Sequence, residues 1–257
     1  MISSLRFVLL QIRDSDDPMR EHEVGVFCRA LGIRRPQLRV VSLLEPVTCE
    51  QICRGADCLL VGGAGAYSVA RETPWLWRTL EVLRAVCETG VPMFASCWGF
   101  QAVARALGGE VVHDPQRAEV GTFPVFLTEE GKRDPVFGPL GSPFQAQMGH
   151  EDRVARLPKR AVRLAYSERV ENQAYRLVGR PVYCTQFHPE LRREDLLERL
   201  ATYPEYLERT GCGSFEEFAA GLREAPETER LLRRFVDLYV VPRRATTLRL
   251  SDGHGSS

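Results

Sequence analysis

The chain has 257 residues and no long hydrophobic run. A helix that crosses a bilayer needs roughly 18–20 consecutive apolar residues, so no transmembrane helix is expected. Excess charge is also missing. The 34 Lys+Arg balance the 34 Asp+Glu, for a formal net charge of zero. That argues against a nucleic-acid binder with a broadly basic surface, and against a polyacidic tail or a disordered chain. Lysine is scarce beside arginine, which reads as a bias of the source genome. There is no CxxC pair and no Cys/His cluster with zinc spacing, so no metal is expected. The eight cysteines (28, 49, 53, 58, 87, 97, 184, 212) follow no disulfide framework, and a chain of 29.0 kDa needs none. Cys49 and Cys53 read as two small thiols on a helix. The apolar start, Met1 to Ile12, has no basic flank and no cleavage site, so it predicts a buried strand rather than a signal peptide. A reducing cytoplasm with mostly inert thiols is the expectation.

What is present is alternation. Residues 5–12, 37–44, 57–61 and 91–96 read as strands, and 18–31, 48–54, 74–88 and 98–107 as helices. Asp14 to Asp17 supply cap chemistry for the first helix, and Thr73-Pro74 reads as a cap with proline at the first helical position. This β-α order predicts an α/β fold: a doubly wound, mostly parallel sheet flanked by helices. Short β-like runs at 110–113, 122–127, 144–148, 161–166, 173–178 and 181–187 extend it with an antiparallel edge. The expected organisation is an α/β domain over 1–190, a C-terminal helical extension over 191–242 packed on it, and a polar, disordered tail over 243–257. The extension carries two apolar stripes, Leu196, Leu200 and Tyr203, then Leu231, Phe235 and Leu238. They predict packing on the sheet, with a dimer or partner interface as the sharper option.

Three segments carry chemistry. In Phe94-Ala-Ser-Cys-Trp-Gly-Phe-Gln101, a strand runs into a helix at Cys97. A nucleophile on such a sharp turn needs small residues two positions to either side, and Ala95 and Gly99 are small. The helix N-terminus favours a thiolate and offers donors to an oxyanion. A buried structural cysteine at a strand end is the plainer alternative. In Gln186-Phe-His-Pro-Glu190, His188 ends a strand on the edge where parallel-sheet sites form, and Glu190 stands two residues on. A thiol needs a base, and the base needs an orienting group. Taken alone, His-Pro-Glu is a loop histidine. Val61-Gly-Gly-Ala-Gly65 lacks Gly-Lys-Ser/Thr and GxGxxG spacing, so it is no phosphate loop. It is either a tight turn or a donor of backbone N–H to an oxyanion.

Together these segments resemble the class I (triad-type) glutamine amidotransferase family. The elbow is similar to its G-x-C-x-G-x-Q pattern, Gln-Phe-His-Pro-Glu to its His-Pro-Glu motif, and Val-Gly-Gly-Ala-Gly to its Gly-Gly-Pro strand. Leu107-Gly108-Gly109, Ala118 to Gly121, and Gly149-His-Glu-Asp-Arg-Val154 with Leu157-Pro158 agree with the branch close to the amidotransferase domain of GMP synthetase. The resemblance covers about residues 5–190. It implies that Cys97 attacks the γ-carboxamide of glutamine, His188 shuttles the proton and Glu190 orients it. It further implies an oxyanion hole of the Gly63 and Trp98 N–H groups. Gln101 and the main chain at Gln147, Met148 and Gly149 would bind substrate, and no cofactor is required. Ala95, Ala64 and Gly149 depart from the usual glycine, proline and serine. His150 reads as a supporting or interface residue, His22 and His113 as surface or packing residues, and His254 falls in the tail.

No P-loop and no Ser-Gly-Gly-x-Asp-Ser motif is present, so any ammonia acceptor is another polypeptide. Three functions stay open. One is a stand-alone glutaminase that feeds ammonia to a separate synthetase, as a monomer or homodimer. Another is a γ-glutamyl peptidase acting on γ-glutamyl peptides or conjugates. The last is a non-catalytic regulatory relative, against which the intact Cys97, His188 and Glu190 count.

Overall fold

The structure, a computed structural model, describes residues 2–204, 206–207 and 213–252. Strands in chain order are β1 (Phe7–Gln11), β2 (Leu38–Ser42), β3 (Cys58–Val61), β4 (Met93–Ser96), β5 (Glu110–His113), β6 (Glu119–Leu127), β7 (Phe144–His150), β8 (Asp152–Arg156), β9 (Ala161–Tyr166), β10 (Ala174–Leu177) and β11 (Val182–Thr185). Nine of them form one sheet in the order β2-β1-β3-β4-β11-β10-β9-β6-β7. The pairings from β2 through β11 are parallel, and those from β11 to β7 antiparallel. This is the expected α/β fold with its antiparallel edge.

The parallel strands are apolar on both faces because helices cover both. Every residue of β1, β3, β4 and β11 is buried. Helices α1 (Met19–Leu31), α2 (Cys49–Cys53), α3 (Pro74–Glu88) and α4 (Trp98–Ala106) connect them. Phe27 and Leu31 of α1 share one core with Phe7 and Phe94. Leu80 and Leu83 of α3 pack with Phe100 and Val103 of α4 in the other. The Asp17 carboxylate caps α1, accepting from the Met19 N–H at 2.7 Å. Thr73 stands at the N-cap of α3, but its hydroxyl makes no cap hydrogen bond.

Two expectations are revised. The run at 110–113 does not join the main sheet. As β5 it pairs antiparallel with β8 in a separate two-stranded sheet. The run at 181–187 is not an edge element either. As β11 it lies parallel beside β4, so both end on one sheet edge.

After α5 (Glu129–Arg133) come α6 (Arg193–Thr202), α7 (Phe215–Gly221), α8 (Pro226–Glu229) and α9 (Leu231–Phe235), the last continuing through a π-helical turn into α10 (Val241–Asp252). Leu231 and Phe235 enter the core with α1, while Leu238 is exposed. Leu196 and Leu200 form a third cluster with Val26 of α1 and Val120 of β6. Where the sequence predicts a tail from 243, helix α10 runs to 252, and the rest of that tail, with His254, lies outside the described residues. Cys212 does too. Among the described residues no helix is long and apolar enough to cross a membrane.

Candidate active site

The C-terminal ends of β1, β3, β4 and β11 deliver four short segments to one sheet edge. β4 ends at Ser96, and Cys97 makes the turn into α4. It is the one described non-glycine residue with positive φ (51°, ψ −104°), a strained conformation of the kind that persists where surrounding structure imposes it. Its backbone N–H donates to Thr185 O at 2.8 Å, tying the turn to β11. Gly99 N–H donates to Gly62 O at 3.2 Å, tying it to the end of β3.

Gly99 has no room for a side chain. A Cβ there would stand 2.8 Å from both the Cβ and the carbonyl oxygen of Val61. Backbone in a central strand cannot retreat, so Gly99→Ala is expected to cost about 2–3 kcal/mol through overpacking. A thermal scan should show a Tm lower by roughly 2–4 °C per kcal/mol. An unchanged Tm would show that the elbow and β3 are loosely packed.

His188 follows β11, and its backbone N–H donates to Gln147 O at 2.9 Å. Its Nδ1 lies 2.6 Å from Glu190 Oε1, and both side chains are buried. Burial works against a charge on the imidazole. The Glu190 carboxylate, and then Cys97, outweigh it, so the His188 pKa is pushed up to about 9. Burial likewise opposes charge on Glu190, but His188 beside it holds that carboxyl below the usual range.

Gly63 covers this group. A Cβ on it would stand 3.0 Å from His188 Cε1 and 3.8 Å from Cys97 Cβ. From the other side, the Cys97 thiol faces Gly149 O at 3.7 Å. A Cβ at 149 would lie 4.0 Å from His188 Nε2, ordinary contact, so a serine there would fit.

Cys97, His188, Glu190, Gly63, Trp98 and Gly149 therefore meet. Gln101 lines the open cavity at Cys97, with its amide nitrogen donating to Asp152 O (2.8 Å) and Gln186 Oε1 (3.1 Å). Gln147 and Met148 line neither cavity described below. The Gln147 side chain is tied to Thr122 and to Arg223 O, while Met148 is in the core. His150 is buried, with its Nε2 3.1 Å from Glu119 Oε2. His113 reaches the site rim, its Nδ1 2.9 Å from Asp152 Oδ1. His22 is largely covered and lies near Asp195 and Glu198.

Several neighbours were not legible in the sequence. Glu23, from the middle of α1, is fully buried under Gly62, where a Cβ would meet its Oε1 at 2.5 Å. Arg13, just past β1, pairs with Glu23 at 3.2 Å and with Asp17 at 3.0 Å. Tyr203 donates its hydroxyl to Asp17, and Tyr206 donates to Gly65 O at 2.6 Å. The stripe ending in Tyr203 was visible, but its contacts at the site were not.

Two cavities meet at Cys97. One, of about 550 Å³, is open to solvent and takes in Trp98, Gln101 and His150. The other, of about 60 Å³, lies on the His188 side and takes in Gly63 and Arg199.

Known proteins place this arrangement in context. The profile of the family described as Glutamine amidotransferase class-I matches residues 27–198. A relative from Aeropyrum pernix, a glutamine-hydrolyzing GMP synthase, is 32% identical over 173 residues, covering 65% of this chain and 31% of that one. A separate glutamine-hydrolyzing GMP synthase subunit from Methanothermobacter thermautotrophicus is 31% identical over 157 residues, covering 60% of this chain and 77% of that one. The match thus spans about a third of the longer relative and about three quarters of the shorter. Among solved structures, a glutamine amidotransferase from Thermotoga maritima has a TM-score of 0.71 at 21% identity, covering 92% of this chain and 98% of the other.

Proposed function

The chain belongs to the class-I glutamine amidotransferase family, and from that membership we propose that it hydrolyses the γ-carboxamide of glutamine through a γ-glutamyl thioester on Cys97. The observation that carries the reading is a buried His188–Glu190 contact of 2.6 Å beside a cysteine on a strained strand-to-helix turn. The Cys97 sulfur attacks the amide carbon with its proton already resting on His188, whose pKa of about 9 keeps the imidazole charged near neutrality. The carbonyl oxygen takes up negative charge beside the backbone N–H groups of Gly63 and Trp98. The C–N bond then breaks, and the proton on His188 goes to the departing nitrogen, releasing ammonia. Water attacks the thioester carbon and gives a proton to His188. The C–S bond breaks, glutamate leaves and the thiol is restored. Glu190 keeps Nδ1 of the imidazole engaged, so Nε2 serves both transfers.

Gln101 and Gly149, on the wall of the open cavity, bind the glutamyl portion in this scheme. Gln147 contributes indirectly, because its carbonyl holds the His188 backbone. Met148 supports the strand from the core. The released ammonia passes to a separate synthetase polypeptide, a reading supported by the Methanothermobacter relative, whose name marks it as one subunit of a GMP synthase.

Glutamate release from L-glutamine by the purified chain tests the proposal. Turnover is expected alone, with stimulation by a synthetase encoded beside it. A chain that releases no glutamate under either condition overturns the reading.

A further inference from the structure

The two cavities at Cys97 are unequal in what they share with the reaction. The open one holds Trp98, Gln101 and His150 but not His188 or Gly63. The small one holds His188 and Gly63 but not Gln101. In the proposed reaction the leaving nitrogen must face the imidazole that protonates it. The glutamyl half therefore lies in the open cavity, and the leaving group in the small one.

That chamber has about 60 Å³. An apolar cavity of about 150 Å³ takes one benzene ring, which has six heavy atoms. A volume of that size takes ammonia and a water, and a larger leaving group would have to extend past Tyr203 and Tyr206, which line both cavities. The chamber's far wall is Leu196 and Leu200 of α6, with Tyr203 and Tyr206. The family match ends at residue 198, so most of this wall is built by chain beyond it. The wall is pinned: Tyr206 bonds Gly65 O at 2.6 Å, and Tyr203 bonds Asp17. Leu196 and Leu200 are buried against Val26 and Val120.

One cationic side chain enters the chamber, with the Glu190 and Glu23 carboxylates acting on its charge. Arg199 lines it, and its Nε and Nη2 are buried with no hydrogen-bond partner. The neighbouring Arg13 is paired with Glu23 and Asp17. A guanidinium only donates, so it can bond a group with a lone pair. Ammonia has one. Ammonium has none, and is repelled by the charge.

We infer that this chamber is the leaving-group subsite, that the α6–Tyr206 wall restricts the leaving group to ammonia, and that Arg199 positions the ammonia by donating to its lone pair. The inference rests on the hydrolysis proposed above and makes the chain selective for glutamine over γ-glutamyl peptides. Arg199 is a positioning residue in this scheme.

The test is kcat/KM of the full chain on L-glutamine, γ-glutamyl ethylamide and γ-glutamylcysteine. A methylene forced against a close-packed pocket changes rates by about 10–200-fold. Ethylamide turnover is therefore expected at least about 100-fold below glutamine, and γ-glutamylcysteine turnover lower still. Leu200→Ala should raise the ethylamide-to-glutamine ratio by about 10-fold or more. Leu200→Val, which leaves a smaller void, should raise it less and serves if the alanine variant does not fold. Arg199→Met should lower kcat with little change in KM, and Arg199→Lys should restore part of it. A purely structural role would not produce that split.

γ-Glutamylcysteine turnover within tenfold of glutamine overturns the chamber while leaving thioester hydrolysis intact. So does an unchanged ratio in both leucine variants. A chain that turns over none of the amides, with Cys97 unlabelled by a γ-glutamyl chloroketone, overturns the hydrolysis reading and the chamber together.

Discussion

Cys97→Ala is expected to lower glutamine hydrolysis by about 10⁴ to 10⁶-fold, the scale seen when a nucleophile is removed from a unit that acts together. The loss should be chemical rather than structural. Alanine fills most of the same space, and it has the same Cβ that makes the φ of 51° unfavourable. The Tm should therefore stay close to that of the parent. Cys97→Gly relieves the strain and should raise the Tm while remaining inactive, a contrast that separates folding from chemistry. A γ-glutamyl chloroketone should label the parent at residue 97, read by peptide mass. Four of the other thiols are poor competitors. Burial pushes the pKa of Cys58, Cys87 and Cys184 upward, and Cys53 is raised to about 11. A thiolate is the reactive species, so these remain inert near neutrality. Labelling at any of them, or near-parental turnover by the alanine variant, would remove Cys97 from the nucleophile's role.

Why was this cysteine legible in the sequence when its surroundings were not? The elbow needs small residues at fixed offsets, and Ala95 and Gly99 are local facts. His188 and Glu190 are likewise two positions apart. The buried Arg13–Glu23 pair cannot be read that way. Its partners come from a strand end and the middle of a helix, and only the packing of α1 on β1 brings them to 3.2 Å. Arg13 and Tyr203 are 190 positions apart and meet through the fold. Strand β8, Asp152 to Arg156, carried too little signal. Val154 is its fully buried apolar residue, and its partner β5 lies outside the main sheet. The short α5 depends on one cap, the Thr128 hydroxyl accepting from Gly131 N–H at 3.0 Å. The central position of β11 reverses the order expected from chain sequence, because four intervening strands pair on its far side. A charged or mixed segment whose fate depends on such distant partners has no local period to reveal it.

Glu190→Gln is expected to lower kcat/KM by about 10² to 10⁴-fold, the range for general acid–base catalysis, and to reverse a pH dependence of stability. Glutamine keeps the shape but removes the charge. In the parent that charge is the main influence opposing burial at His188, whose pKa it helps push up to about 9. An unfolded histidine titrates near 6.5. The folded state therefore holds this proton more tightly. The stabilisation is fully present below about pH 6.5 and is lost as pH rises through about 9. Glu190 has the opposite sign: its folded pKa is lowered, so its contribution is present above the usual carboxylate range and lost as pH falls. In the glutamine variant burial is no longer opposed by the carboxylate. His188 should then sit below its unfolded pKa, and stability from this group should rise, not fall, as pH passes upward through about 6.5. Tm measured from pH 6 to 10 in a Cys97→Ala background, with and without Glu190→Gln, isolates the pair from the thiol. Parallel Tm curves for the two proteins would show that Glu190 does not hold the His188 proton. The imidazole would then need another orienting group, and the proton it gives to departing ammonia another source of its affinity.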